Sequence, residues 1–176
     1  MNAPHPAAFA EYVRRSPSQM LKSAYMAFFQ LPGLPRHVLT RRGAAAVASA
    51  FRRSAVRPAV FSEADLAVYR HALLRPGAAR SALAYYRQAV RQGRGVLPST
   101  PITVPTLLLW GTGDPVLAAA SNERLGEYVN DITIRYVDGC GHWTQQEQPD
   151  VVNRELIAWL SAREAGIGAG SGAGHL

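Results

Sequence analysis

Two short apolar runs, each followed at once by a loop containing glycine, constrain the fold of this chain more than any other feature. The first run, residues 104–110, leads into Gly-Thr-Gly-Asp-Pro, and the second, residues 132–137, leads into Asp-Gly-Cys-Gly-His. Continuous apolar runs of this length, rich in leucine and β-branched residues, are typical of buried strands in parallel sheets. Residues 118–129 between them have the spacing of an amphipathic helix, which predicts a right-handed strand–helix–strand crossover. The sequence therefore predicts an α/β fold.

An acidic residue and a histidine follow the two predicted strands. Asp114 lies just past the end of the first strand, and His142 lies in the loop after the second. Reactive groups of open α/β sheets gather outside the carboxyl ends of the strands, and an acid followed by a histidine is the second half of a nucleophile–acid–histidine triad. Asp114 and His142 are therefore the predicted acid and base. The alternatives are a turn-forming aspartate before Pro115 and a structural loop histidine.

The sequences around both residues resemble one family. WGTGDPVL (residues 110–117) followed by DGCGHWTQQEQPDVVN (residues 138–153) is similar to the C-terminal end of α/β-hydrolases of the epoxide hydrolase group. The resemblance extends over about residues 2–162, and residues 2–6, Asn-Ala-Pro-His-Pro, resemble the stretch that leads from a core strand into the family's helical cap. It implies a partial α/β-hydrolase, namely a helical cap followed by the last two parallel strands and their helices.

The segment before the strands is predicted to be helical and so fits a cap. Helices are expected over residues 9–15, 17–30, 37–55, 62–74 and 78–92, with a further helix over residues 149–163. Ser62 and Asp65 have the spacing of a capping box. The resulting domain boundaries are a cap (1–92), a linker rich in glycine and proline (93–103), the C-terminal part of the core (104–163) and a disordered tail (164–176).

The resemblance also implies site residues within the cap. Two cap tyrosines of the family donate hydrogen bonds to the substrate oxygen, and they correspond to Tyr25 and Tyr86, with Tyr85 as the alternative to Tyr86. Phe29 and Trp143 are the expected substrate-binding residues. Helical spacing alone would assign both cap tyrosines to packing, so their catalytic roles depend on the resemblance.

The implied chemistry requires a nucleophile that the sequence does not supply. In the resembled enzymes an aspartate attacks an epoxide carbon, and the histidine then activates the water that hydrolyses the resulting ester. None of the five aspartates, at positions 65, 114, 131, 138 and 150, lies in a strand–turn–helix elbow, and Gly-x-Ser-x-Gly is absent from the sequence. We therefore expect a truncated form that is inactive alone. A start codon assigned too late or a damaged gene is the preferred explanation, and a separate polypeptide supplying the N-terminal half is the other.

The charge and hydropathy of the sequence indicate which classes of partner are not expected. The net charge of +7 comes from 18 arginines and one lysine, but they are scattered and no basic motif is interleaved with aromatic residues, so no nucleic acid partner is expected. No apolar run reaches the roughly 18 residues of a membrane span, and no signal-peptide pattern is present, so we expect a cytoplasmic protein without a membrane partner. The single cysteine, Cys140, cannot form an internal disulfide.

A small apolar epoxide is the expected substrate, and neither a cofactor nor a metal is expected. The alternatives within the superfamily are a haloalkane or haloacid dehalogenase and an ester hydrolase. The non-enzymatic alternative is a helical interaction module in which Asp114 and His142 are vestigial.

Overall fold

Two parallel strands lead into the two loops that carry Asp114 and His142. A computed structural model describes residues 1–93 and 101–170. Strand β1 (Thr106–Gly111) pairs with strand β2 (Ile132–Val137), with Thr106 opposite Ile132 and Gly111 opposite Val137. Both strands occupy the predicted apolar runs, and their parallel pairing confirms the predicted α/β class.

Within residues 1–93, six α-helices precede the sheet, as a helical cap requires. They are α1 (Pro6–Arg15), α2 (Pro17–Lys22), α3 (Ala24–Phe28), α4 (Leu34–Arg53), α5 (Glu63–Leu74) and α6 (Ala78–Gly93). The predicted capping box opens α5, because Ser62 Oγ accepts the Asp65 N–H and the Asp65 carboxylate accepts the Ser62 N–H. None of the described helices is both long and apolar enough to cross a bilayer.

The single helix predicted over residues 17–30 is divided at Ser23. Buried Gln19 is the reason, because its amide donates to Ser23 Oγ at 3.1 Å and to Val116 O at 2.9 Å. Its Oε1 also accepts the Ala118 N–H at 2.9 Å. The side chain thus anchors α2 to the loop after β1, and α3 begins after Ser23, whose ψ of 2° departs from helical values.

Helix α4 is also interrupted, although one continuous helix was predicted. Arg42, Gly43 and Ala44 have φ values of 50°, 62° and 58°, in the left-handed region. Gly43 adopts such a conformation readily, and its carbonyl oxygen accepts a 2.6 Å hydrogen bond from Arg70 Nε of α5. The kink is therefore held by a side chain from the neighbouring helix.

The prediction of an α-helix over residues 118–129 is wrong. The segment forms only two 3₁₀ turns, Ala119–Asn122 and Leu125–Glu127. Its end is drawn towards the sheet, because Ile102 N donates to Tyr128 O at 2.8 Å and Asn130 N donates to Ile102 O at 3.0 Å. This pairing, with the bridge between Ile102 and Val129, fixes the end of the segment beside the sheet.

Two helices follow β2, namely α7 (Thr144–Glu147) and α8 (Pro149–Gly170). Helix α8 continues beyond residue 163 through the first seven residues of the segment predicted to be disordered. The sequence Ala-Arg-Glu-Ala at residues 162–165 has high helix propensity and accounts for the extension as far as Ala165, whereas the glycines at positions 166, 168 and 170 do not favour a helix. The rest of the predicted tail, residues 171–176, and residues 94–100 of the predicted linker lie outside the described residues.

The hydrophobic core lies between the first cap helix and the first strand. Its buried members come from α1, β1 and the segment that joins the strands, namely Ala8, Leu108, Trp110, Leu117 and Leu125. Burial of these side chains fixes β1 against the cap, and the loop after β1 is fixed with it.

Candidate active site

The two loops that follow the strands bring the predicted acid and base together. His142 Nδ1 lies 2.8 Å from Asp114 Oδ2, although the residues are 28 positions apart in sequence. The Asp114 side chain is 1% exposed and that of His142 is 23% exposed. The acid is therefore enclosed, while the imidazole retains access to a substrate or water.

Glycines permit the close approach of these loops. A Cβ atom on Gly111 would lie 2.3 Å from the carbonyl oxygen of Gly141, and one on Gly141 would lie 2.8 Å from Val56 N. Any other residue at either position would force the backbones apart. Gly111 and Gly141 are thus required for the packing of the two loops around Asp114 and His142, which explains why glycine occupies these positions.

Every acceptor position of the Asp114 carboxylate is occupied by a donor. Oδ1 accepts the N–H groups of Val116 and Leu117 at 2.7 and 3.0 Å, and Oδ2 accepts the Asn2 amide at 2.7 Å in addition to His142. Burial by itself would raise the pKa of Asp114, but the hydrogen bond and charge of His142, with the Asn2 amide, hold that pKa below its ordinary value. An ionised Asp114 accepts a hydrogen bond from the Nδ1–H group of His142, which leaves Nε2 of the imidazole unprotonated and able to act as a base.

Asn2 is a site residue that sequence reasoning missed. Its Oδ1 accepts the Gly111 N–H at 2.9 Å and the Thr144 hydroxyl, which turns Nδ2 towards Asp114. Its own N–H donates to Leu109 O at 3.1 Å, and the residue is 4% exposed. Its φ of 37° lies in the left-handed region, which asparagine tolerates better than most residues. The resemblance of residues 2–6 to the family was the one sequence signal at this position, but it assigned no role to Asn2.

Glu147 is the second missed residue, and it connects the histidine loop to the cap. Its Oε2 accepts the N–H groups of Val56 and Arg57 at 2.8 and 3.0 Å, and its Oε1 accepts those of Gly141 and Trp143 at 3.0 and 3.4 Å. The residue is 2% exposed. One buried carboxylate therefore holds the segment after α4 against the loop that carries His142.

The cap tyrosines form one aromatic cluster. The rings of Tyr25 and Tyr86 are 5.9 Å apart between centroids, and Phe29 lies 5.5 Å from Tyr25 and 5.0 Å from Tyr86. Tyr85, the alternative to Tyr86, is 73% exposed, so Tyr86 is the one that the structure brings to Tyr25.

Both clustered tyrosines are neutral hydrogen-bond donors. Burial, then Tyr86 and the Asp114 carboxylate, raise the pKa of Tyr25 to about 12. Burial and then Tyr85 raise the pKa of Tyr86.

Trp143 adjoins the histidine and also contacts the cap. Its ring lies 5.0 Å from that of His142 in an edge arrangement and stacks on Phe51 at 4.1 Å. Its Nε1 donates to Ser54 Oγ at 2.7 Å. Because the indole N–H is occupied, only the apolar surface of Trp143 is available to a substrate.

Parallel strands followed by loops that join an acid to a histidine are the arrangement expected at the C-terminal end of an α/β-hydrolase core. Residues 3–155 match a family model described as "Alpha/beta hydrolase family". The chain belongs to this family.

Several curated relatives are named as epoxide hydrolases. Human epoxide hydrolase 4 is 32% identical over 170 residues, which cover 91% of this chain and 45% of that protein. The AB hydrolase superfamily protein YfhM of Bacillus subtilis is 32% identical over 160 residues, which cover 91% of this chain and 55% of that protein. The chain thus spans about half the length of these relatives.

The solved structures show the same fold. A crystal structure of the Bacillus megaterium epoxide hydrolase with an inhibitor matches with a TM-score of 0.77 and 23% identity, over 90% of this chain and 58% of that one. At this identity the match demonstrates the fold alone, and it agrees with the predicted partial α/β-hydrolase.

Proposed function

We propose that this chain is the cap and the acid–base half of an enzyme that opens epoxides to vicinal diols through an ester intermediate. The observation that carries the proposal is the pair of clustered tyrosines, Tyr25 and Tyr86, whose rings lie 5.9 Å apart, in a chain that also joins Asp114 to His142. An epoxide oxygen becomes an alkoxide as its ring opens, and a neutral phenol is a suitable donor to it. The relatives named as epoxide hydrolases support the same reaction.

Each group has a defined role in the two-step reaction. A nucleophilic carboxylate attacks an epoxide carbon, and the bond between that carbon and the epoxide oxygen breaks. The oxygen accepts hydrogen bonds from Tyr25 and Tyr86 as it becomes an alkoxide, and one of the two phenols then gives it a proton. His142 Nε2 removes a proton from water, whose oxygen attacks the ester carbonyl, and the imidazolium then gives that proton to the departing diol oxygen. The second water proton is lost as the nucleophilic carboxylate is regenerated, and it restores the phenol that gave up its proton in the first step. Asp114 keeps the imidazole in the required tautomer and stabilises the imidazolium.

The nucleophile is proposed to lie outside these 176 residues. The other four aspartates are engaged elsewhere: Asp65 caps α5, Asp131 pairs with Arg163, Asp138 accepts the Thr112 hydroxyl and Asp150 lies in the first turn of α8. None of them contacts His142 among the described hydrogen bonds. The nucleophile then comes from a preceding segment of the polypeptide or from a separate chain.

A dehalogenase or an ester hydrolase of the same superfamily would use the same acid–base pair. Neither reaction requires two neutral tyrosines in the cap, because a halide or an acyl oxygen is stabilised by donors near the nucleophile. The Tyr25–Tyr86 cluster therefore favours the epoxide.

Sequencing the genomic DNA upstream of the Met1 codon in all three frames, followed by an assay, tests the proposal. We expect a strand-rich segment with a His-Gly pair and an aspartate in a strand–turn–helix elbow. This segment together with the present chain, as one polypeptide or two, is called the joined enzyme below. The joined enzyme should convert styrene oxide to its diol, whereas the 176-residue chain should not. Diol formation by the short chain alone, or a joined enzyme that cleaves esters but no epoxide, would overturn the proposal.

A further inference from the structure

Ser54, the residue that follows helix α4 in the cap, makes two direct contacts with the loop that carries His142. Its carbonyl oxygen accepts the His142 backbone N–H at 2.9 Å, and its Oγ accepts the Nε1–H group of Trp143 at 2.7 Å. The residue is 8% exposed. One buried cap residue therefore holds both the backbone of the histidine and the side chain that follows it.

The Ser54 hydroxyl is fixed as an acceptor for the indole. Its own proton is donated to Ala50 O at 2.7 Å, one turn earlier in α4, and a second carbonyl, Phe51 O, lies further away at 3.3 Å. A hydroxyl group has only one proton to donate. Because helix α4 takes that proton, a lone pair of Oγ faces Trp143, and the position of the helix sets the direction of the bond.

This hydrogen bond supplies a constraint on Trp143 that its aromatic neighbours do not. The indole stacks on Phe51 at 4.1 Å with the ring planes 19° apart, and Phe61 meets it edge-on at 6.5 Å. Stacking sets the distance between two planes but permits one ring to turn or slide within its own plane. Without the Ser54 hydroxyl the indole N–H would lack its partner, which is costly at a buried site, so the ring would turn towards another acceptor.

The imidazole of His142 lies against the ring that Ser54 holds. The ring centroids of His142 and Trp143 are 5.0 Å apart, with the planes at 82°. Asp114 holds the imidazole at Nδ1 alone, and a single hydrogen bond permits the ring to pivot about that atom. Contact with Trp143 limits the pivot, and Nε2 moves with it. Since a displacement of about 1 Å at a reacting group costs about 100-fold in rate, the pivot matters for catalysis.

We propose that Ser54 is a positioning residue for hydrolysis of the ester intermediate. Its hydroxyl fixes Trp143, and Trp143 holds the His142 imidazole where Nε2 reaches the attacking water. This inference rests on the proposed function, and it concerns one of the two steps. His142 acts as a base on the water that hydrolyses the ester, whereas attack of the nucleophilic carboxylate on the epoxide does not use it.

Single-turnover and steady-state kinetics of the joined enzyme with styrene oxide test the inference. Ser54→Ala removes the hydroxyl but keeps the backbone bond to His142. We expect the rate of ester hydrolysis to fall about 10- to 100-fold, with the rate of ester formation unchanged, so that the ester accumulates and is detected by intact mass. Once hydrolysis limits turnover, kcat and KM should fall together while kcat/KM stays constant. General loosening of the active site would instead lower kcat/KM.

Two further variants separate the hydrogen bond from other effects. Trp143→Phe removes the indole N–H and should itself slow ester hydrolysis. In that background Ser54→Ala should have no further effect on hydrolysis, because the bond that it removes is already absent. Ser81→Ala, at an exposed position of α6, is the matched control and should leave both steps unchanged.

The outcomes distinguish this inference from the proposed function. If the unsubstituted joined enzyme forms and hydrolyses the ester, the inference alone is overturned by any of three results. These are unchanged hydrolysis in Ser54→Ala, equal slowing of both steps in that variant, or an undiminished effect of Ser54→Ala in the Trp143→Phe background. An unsubstituted joined enzyme that forms no ester would overturn the proposed function, and this inference with it.

Discussion

The acid–base pair depends on a residue that never touches the reacting atoms. Asn2 donates to the same Asp114 oxygen that accepts from His142, and its own amide is oriented by donors from Gly111 and Thr144. The amide can therefore present only its NH₂ group to the carboxylate. This arrangement favours the ionised form of Asp114, and with it the Nδ1–H tautomer of the imidazole.

Replacing Asn2 should make Asp114 less acidic. A group whose pKa is lowered by folding stabilises the fold above its ordinary pKa, and this contribution is lost as the pH falls through the lowered value. Asn2→Leu removes one donor, so the pKa of Asp114 should rise towards its ordinary range and acid unfolding should begin at a higher pH. Titration of the Asp114 carboxyl carbon by NMR measures this shift. Asn153→Leu, at an exposed position of α8, is the control, and an unchanged Asp114 pKa in Asn2→Leu would contradict the argument.

Loss of either clustered hydroxyl should slow opening of the epoxide. Tyr25→Phe or Tyr86→Phe in the joined enzyme removes a donor to the developing alkoxide, which is worth about 10²–10³ in kcat. Tyr85→Phe is the matched control, because Tyr85 is 73% exposed. The rate of single-turnover ester formation from styrene oxide is the measurement. Equal losses of rate in Tyr85→Phe and Tyr86→Phe would contradict the assignment of Tyr86 as a specific hydrogen-bond donor.

Asp114 and His142 could be predicted from the sequence, whereas Asn2 and Glu147, which hold them in place, could not. The reason is that only the first two are marked by local sequence signals. Asp114 and His142 are marked by local signals, since each follows an apolar run and lies among glycines. Asn2 is 112 positions from Asp114, and Glu147 is 91 positions from Val56. Among the described hydrogen bonds, the Glu147 carboxylate bonds only to backbone N–H groups, which any sequence offers, so no spacing or residue type reveals those contacts.

Secondary structure followed the sequence where it arises from local propensity and departed from it where a distant side chain intervenes. The capping box of α5 and the run of β2 are local, and both were predicted correctly. Gln19 divides the helix predicted over residues 17–30 through bonds to the loop after β1, almost a hundred positions away. Pairing with Ile102 likewise holds the end of the segment that was predicted to be the crossover helix.

The contact between cap and histidine loop should depend on the charge of Glu147. Glu147→Gln keeps the shape but replaces one acceptor oxygen with an NH₂ group, which then faces backbone N–H donors. Loss of two charge-assisted bonds at a buried site should lower the free energy of unfolding by about 3 kcal/mol. Denaturant unfolding measures the loss, and hydrogen exchange should show that the amides of Val56 and Gly141 lose protection together.

Glu155→Gln is the control for this substitution, because Glu155 makes only longer contacts with exposed arginines. It should leave the unfolding midpoint unchanged. If Glu147→Gln exposes only the histidine loop to exchange and leaves Val56 protected, Glu147 does not couple the two segments.

The chain as a whole exposes apolar surface that a complete α/β-hydrolase sheet would cover. Val104 and Ile157 are each 63% exposed, and Tyr136 on β2 is 53% exposed. In the described residues the sheet has two strands, so each strand has one edge without a strand partner. Parallel sheets are ordinarily buried on both faces, and free edges promote association.

The isolated 176-residue chain should therefore self-associate or melt without cooperativity. Sedimentation velocity and thermal unfolding by circular dichroism measure these properties, and the joined enzyme provides the comparison. A monomer that melts in one sharp transition would show that the exposed surface needs no further polypeptide. It would weaken the inference that the nucleophile lies on an additional segment.

The most direct test of the proposed chemistry is the intact mass of the joined enzyme carrying His142→Gln after exposure to styrene oxide. Glutamine cannot activate water, so the ester formed in the first step should persist, and the protein should gain the mass of one substrate molecule while diol release stops. The unsubstituted enzyme should return to its original mass after turnover. Undiminished diol release by the variant, or loss of activity without any adduct, would contradict the assignment of His142 as the base that hydrolyses a covalent intermediate.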